Sequence, residues 1–418
     1  MEAHHIDYNE RFEFTGKAKM WSLISIAIGV VAVVIGFATG HAERTFSNLL
    51  LMGYYFTCVC MAGTFFLAVQ YVAQAGWSAS LIRVPQAFAK VLPVAALILI
   101  IIVLAGLFMH GNVEHEGKEI VGPYLYKHWA VHGIADPGSE HYDPLIAGKA
   151  SYLNIPFFLI RLVVFLGLYA AFGAMLVKYS RNEDEIGGIS NYNRSFKISC
   201  IFLVIFGFTT PLFAFDTIMS LEAHWFSTMF GWYNFAAMWV SGLAVITLTI
   251  ILLKQKGYMQ WINENHLHDL GKFMFAFSIF WTYVWFSQFL LIYYANLPEE
   301  TVYFYKRWEP QFLPIFWANI VINFLSPVLI LMSRDWKRRM DVLKVVCIVI
   351  LIGHWVDYYM MIMPGTVGPE GRGFGVEEFG IAAGFVGLFA YFMQTALAKV
   401  PLAPKNHPFL QESLHHHI

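Results

Sequence analysis

Two residues in the stretch "LIGHWVDYYMMIMPG", 351 to 365, do not belong in an otherwise apolar run: His354 and Asp357. An ionised aspartate at the centre of a membrane helix costs roughly 2.5 to 3.5 kcal/mol on insertion scales. Three residues apart, the two side chains share one helix face and address the same partner or cavity. A histidine titrates near neutrality and a desolvated carboxyl moves up toward it, so the pair could hand on a proton or contact a quinol. The plainer reading is a helix-to-helix hydrogen bond, with Gln288 as its partner. Arg161 and Asp216 are the next pair of buried charges, readable as an ion pair between adjacent helices or as members of a relay. Glu222 and His224, in "SLEAHWFSTMFGWYN", sit where a span meets the headgroups, as surface groups or as a proton entry.

Other chemistry finds less support. Cys58, Cys60, Cys200 and Cys347 all fall in apolar runs, with no C-x-x-C and no C-x-x-C-H, so neither covalent haem nor an iron–sulfur cluster is signalled. Non-covalent haem needs two histidines at matched depth, and His354 alone lies well inside a span. The glycines of "GPEGRGFG", 368 to 375, follow no strand and make no nucleotide loop. A net charge of -1 and the lack of a basic, aromatic-interleaved stripe set nucleic acid aside.

The elements that must position these residues are membrane helices. The chain of 418 residues is 58% hydrophobic, 17% aromatic and 13% charged, too apolar for a soluble protein and all-α by its long apolar windows. Windows of about 20 residues cross a bilayer core, and ten of them are expected, at 20–39, 49–73, 88–109, 155–177, 197–219, 230–253, 272–295, 313–333, 342–363 and 378–398. The start has acidic residues ahead of its first apolar run and no small-residue cleavage site, so the first span is expected to stay in the membrane. An even number of spans puts both termini on one side. Most of the 27 Lys and Arg fall on that side; Arg44, Lys118, Lys127, Lys149, Lys306, Arg307 and Arg372 fall on the other. Positive-inside logic therefore puts the termini in the cytoplasm. Residues 110–154 form one long outer-side loop, expected to dock partners, and the tail "SLHHHI" is expected to be solvated.

A helical rise of about 1.5 Å per residue then fixes depth. The ninth span, ending at Pro364, places Asp357 and His354 in its outer half and near the midplane. Arg161, Asp216 and Gln288 lie in the outer half too. The inner half holds hydroxyls and amides such as Ser241, Asn323 and Ser326 but few ionisable groups, so proton movement would need ordered water there or be confined to a half-channel.

Together "SYLNIPFFLIR", "SLEAHWFSTMFGWYNF" and "HWVDYYMMIMP" resemble the F subunit of bacterial alternative complex III, the second of its large polysulfide-reductase-like membrane subunits. The resemblance covers the whole chain. It implies two four-helix bundles, spans two to five and six to nine, with spans one and ten flanking. It implies a place in a quinol:cytochrome c or quinol:oxygen pathway without a redox centre of its own. Its partners would be a homologous ten-span quinol-oxidising subunit, an iron–sulfur subunit, multihaem and monohaem c-type cytochromes, a terminal oxidase and lipid. Quinone binding is implied by family naming only. Proton translocation is the implied role, with His354, Asp357 and Gln288 in one bundle and Arg161 and Asp216 in the other. Two rivals stand beside it. A secondary transporter would show corresponding helix breaks in two halves, and Pro211 and Pro327 do not correspond; a purely structural scaffold would need no proton chemistry.

Overall fold

A computed structural model describes residues 6–115, 118–367 and 373–417. Among these, ten helices are long and apolar enough to cross a membrane: α1 (Gly16–Ala38), α2 (Ala42–Val72), α3 (Arg83–Phe108), α5 (Ile155–Ile186), α6 (Ser190–Thr217), α7 (Met229–Gln255), α8 (Glu264–Ala295), the broken helix Leu313–Leu331, α12 (Met340–Thr366) and α13 (Val376–Ala398). The broken helix is α10 (Leu313–Ile320) and α11 (Ser326–Leu331), joined by a π turn at Val321–Leu325. Pro327 has no N–H for the Asn323 carbonyl, the usual cause of such a bulge, and the Ser326 hydroxyl donates to the Val321 carbonyl at 3.0 Å. Short helices α4 (Pro144–Lys149), α9 (Pro298–Arg307) and α14 (Leu410–Leu414) lie outside the spans. One antiparallel hairpin, β1 (His110–His115) with β2 (Lys118–Pro123), pairs His110 with Pro123 through His115 with Lys118.

Helices α2, α3, α5 and α6 close one four-helix ring and α7, α8, α10–α11 and α12 another, as the resemblance implies. The rings meet where α2 and α6 pack on α7 and α2 packs on α12. Gly242 of α7 sits against Ala62 of α2, where a side chain would collide with the neighbouring methyl. Small residues let backbones approach when lipid is as apolar as leucine and packing alone drives association. Outside the rings, α1 pairs with α13, and α13 lies on α2 and α3. Their crossing point is Gly29 against Gly384, backbone on backbone.

Several helices outrun the apolar windows: α5 continues to Ile186, α8 begins at Glu264, and α12 passes through Pro364 to Thr366 rather than stopping there. The two ends of the molecule are called here the loop face, carrying residues 110–154, and the terminal face. At the terminal face the tail is not solvated as expected. His416 Nε2 lies 2.7 Å from Asp269, the His416 carbonyl accepts from Asn263 and Asn265 at 2.9 and 3.1 Å, and the Ser413 hydroxyl donates to Ser80 at 2.8 Å. The extra turns of α8 create that dock. Of the "GPEGRGFG" stretch, 368–372 lies outside the described residues.

Candidate functional site

Asp357, fully buried on α12, is the centre of the second ring's polar cluster. Its Oδ1 accepts from the Asn319 side-chain amide of α10 at 2.8 Å and from the Tyr233 hydroxyl of α7. Its Oδ2 accepts from Trp281 Nε1 of α8 at 2.9 Å. All four walls of the ring therefore meet at one carboxylate. His354 Nδ1 stands 3.5 Å from Oδ2, at the edge of hydrogen-bond range, and has no other partner. Asn323, in the π turn, donates to Asn319 Oδ1 at 2.6 Å, while its own Oδ1 lacks a donor. π turns recur at functional sites, and this one brings a second amide beside the first.

Gln288 does not join the cluster as expected: it is buried two turns farther along α8 with Oε1 unpartnered. Trp281 holds the place assigned to it. An indole and a phenol in an apolar helix read as packing, so neither Trp281 nor Tyr233 stood out; their helical phase was the available signal.

Toward the loop face, α12 carries a second cluster one turn on. Pro364 leaves the Met360 carbonyl without its helical donor, and Arg307 Nε of α9 supplies one at 2.9 Å. The same guanidinium donates to the Met361 carbonyl at 3.1 Å and to Glu222 at 2.8 Å, and lies 3.3 Å over the Tyr303 ring. Trp225 stacks on the other side of Tyr303. Glu222 is thus buried, and the expectation of an interfacial surface group fails because α9 folds over it. Burial would push its carboxyl up, but the Arg307 and Lys306 charges outweigh it and hold the group below the ordinary carboxylate range. His224 is half exposed and bonds to Asp143.

In the first ring Arg161 and Asp216 make a bidentate pair, Nε to Oδ2 at 2.7 Å and Nη2 to Oδ1 at 3.0 Å. Arg161 also donates to the Tyr152 carbonyl at 3.1 Å and lies over the Tyr152 and Phe157 rings. Every hydrogen-bonding edge of the guanidinium is thereby in use, which suits a staple better than a relay. The terminal-side half of this ring is not poor in polar groups, as expected. Arg83 and Glu183 are both buried there, with Gln86 bridging Arg83 to Ser180, and Glu183 Oε2, Tyr71 Oη and Ser195 Oγ have no protein partner. Apart from Tyr71 of α2, these residues lie in the parts of α3, α5 and α6 that run past the apolar windows.

The loop is largely part of the fold. Tyr126 donates to the Thr217 carbonyl at 3.0 Å and, with Trp129, is buried against Phe158. Lys127 is tied to Glu43 and to the Thr366 carbonyl, and Lys149 to the Ala223 carbonyl at 2.7 Å. Glu377 and Glu378, which sequence reasoning passed over, are buried at the start of α13 and bonded to α2: Glu378 to Arg44 at 2.7 and 2.6 Å, Glu377 to His41 at 3.0 Å. Among the described residues no group of three or more His, Cys, Asp or Glu could hold a metal ion. No family model matches the chain, and no curated protein matches it.

Proposed function

We propose that this multi-pass membrane protein handles protons in its second helical ring, as a subunit without its own redox centre in a quinol-oxidising respiratory complex. The observation that carries the reading is the Asp357 cluster, a fully buried carboxylate fed by donors from every wall of the ring with an unpaired imidazole 3.5 Å away. Three hydrogen bonds converge on this carboxyl. A proton arriving on His354 makes an imidazolium beside Asp357, and beside an ionised carboxylate the pair goes from one negative charge to none. Release runs past Tyr233 toward Arg307, Glu222 and half-exposed Lys306 at the loop face. On the terminal side of Asn323 a path would need ordered water; without it the cluster serves a half-channel.

Membership of alternative complex III rests on the three motifs alone. In that reading the partners are the homologous ten-span subunit, the iron–sulfur subunit and the haem-bearing c-type cytochromes, with the exposed β1–β2 hairpin as their docking edge. Purification from the native membrane should bring multihaem and iron–sulfur proteins down with the chain. The proton test uses His354→Gln and Asp357→Asn, which keep size and hydrogen bonding but cannot titrate in this range. Both should assemble, and both should lose most proton uptake, or its coupling to electron flow, in reconstituted vesicles. Variants that move protons like the parent would leave a scaffold, the reading that the saturated Arg161–Asp216 pair favours for the first ring.

A further inference from the structure

A lateral groove of about 720 Å³ runs between α13 and the seam of the two rings, walled by α2, α7 and α12. It exists because α13 packs on α2 and α3 and leaves the flank of α12 uncovered. Its wall extends along α13 from Phe379 to Leu397, about 27 Å at the helical rise, close to the roughly 30 Å of a bilayer core. The lining is apolar except for Lys256 and Gln394, whose Oε1 is buried without a partner, and its two hydroxyls are already used: Tyr55 donates to the Leu351 carbonyl at 3.1 Å and Thr249 to the Val245 carbonyl at 2.8 Å. Its terminal-face mouth is different in kind. Lys256 lines it, and Ala18, also in the lining, is flanked in sequence by Lys17 and Lys19.

We propose that the groove is a binding site for one anionic glycerophospholipid, an acyl chain lying along α13 and the phosphate at Lys256. Charge and polarity point the same way: cation at the headgroup level, hydrocarbon along the rest. The occupant would touch Leu351, Ile352 and Trp355, the back of the helical turn that presents His354 to Asp357. The site does not depend on the proton reading, since none of its lining residues belongs to the Asp357 cluster. Trp355 Nε1 is buried without an acceptor. A lipid chain leaves it unpaired, whereas a quinone head would take it.

The test is native mass spectrometry of the full chain purified from vesicles of phosphatidylglycerol and phosphatidylcholine. The parent should retain one tightly held phosphatidylglycerol. Ala390→Trp, and the milder Ala383→Leu, should lose it while the chain remains folded. Lys256→Gln should reduce the preference for phosphatidylglycerol over phosphatidylcholine several-fold, and Trp355→Phe should change nothing. Unchanged retention in both groove-filling variants, or an unchanged preference in Lys256→Gln, overturns the proposal. So does loss of the bound molecule in Trp355→Phe with its identification as a quinone, or a cross-link from Ala383→Cys to a co-purifying polypeptide.

Discussion

His407 shows what burial does to a titrating group in this chain. Its ring packs against Tyr71 at 6.2 Å and Tyr192 at 5.6 Å, centroid to centroid, and burial, with the nearby Arg83 charge, lowers its pKa from 6.5 to about 4. The folded chain therefore binds this proton less readily than the unfolded one. Stability from the neutral ring is complete above pH 6.5 and falls as pH drops from there toward 4. At about 1.4 kcal/mol per pKa unit the loss approaches roughly 3 kcal/mol. Thermal unfolding followed from pH 7 to pH 4 should show this slope, and His407→Phe should flatten it; an equal slope in both proteins would assign the acid sensitivity elsewhere. Glu222 works on the same side of neutrality: held below its ordinary range by Arg307 and Lys306, it too contributes above the usual carboxylate pKa and loses that contribution on acidification.

At the scale of the element, α12 is a helix with a missing donor that another element replaces. Arg307→Lys keeps a cation for Glu222 but cannot reach the Met360 and Met361 carbonyls together, and should lower stability by about 1 to 3 kcal/mol. Pro364→Ala returns an N–H to the Met360 carbonyl, so the double variant should recover part of that loss in thermal unfolding. Additive losses would show that the guanidinium acts only through Glu222. Helices of this kind mark the limits of the sequence. The ten spans were legible because long apolar runs admit one reading, and His354 and Asp357 because charge contrasts with such a run. The ends of α5 and α8 were not, since Asp184, Glu183, His266 and Asp269 look like loop residues until the helix is seen to carry them past the apolar window. Nor were the partners of Asp357: aromatic residues and amides are frequent in apolar spans, and phase without a neighbouring helix does not rank Trp281 above Gln288.

For the whole molecule, the two rings were expected from the resemblance, with which the alternation of the spans agrees, while the cap over the loop face depends on contacts far apart in sequence. Residues 124–153 carry Tyr126, Trp129 and Lys127 into the body of the protein, whereas the hairpin before them leaves Val121 73% exposed. Replacing 110–123 with a short flexible linker should therefore preserve a folded, monodisperse chain, and replacing 124–153 should abolish it, as read by size-exclusion profile. Equal tolerance of both would make the segment a detachable appendage. The pairing of α1 with α13 has a consequence of another kind, for biosynthesis. Helix α1 makes its main contact, at Gly29 and Gly384, with α13, which the ribosome delivers much later. During synthesis α1 must wait in the bilayer while the eight spans from α2 to α12 are inserted, with a smaller contact to α2 in the meantime. Closure of the outer pair thus cannot precede the emergence of α13.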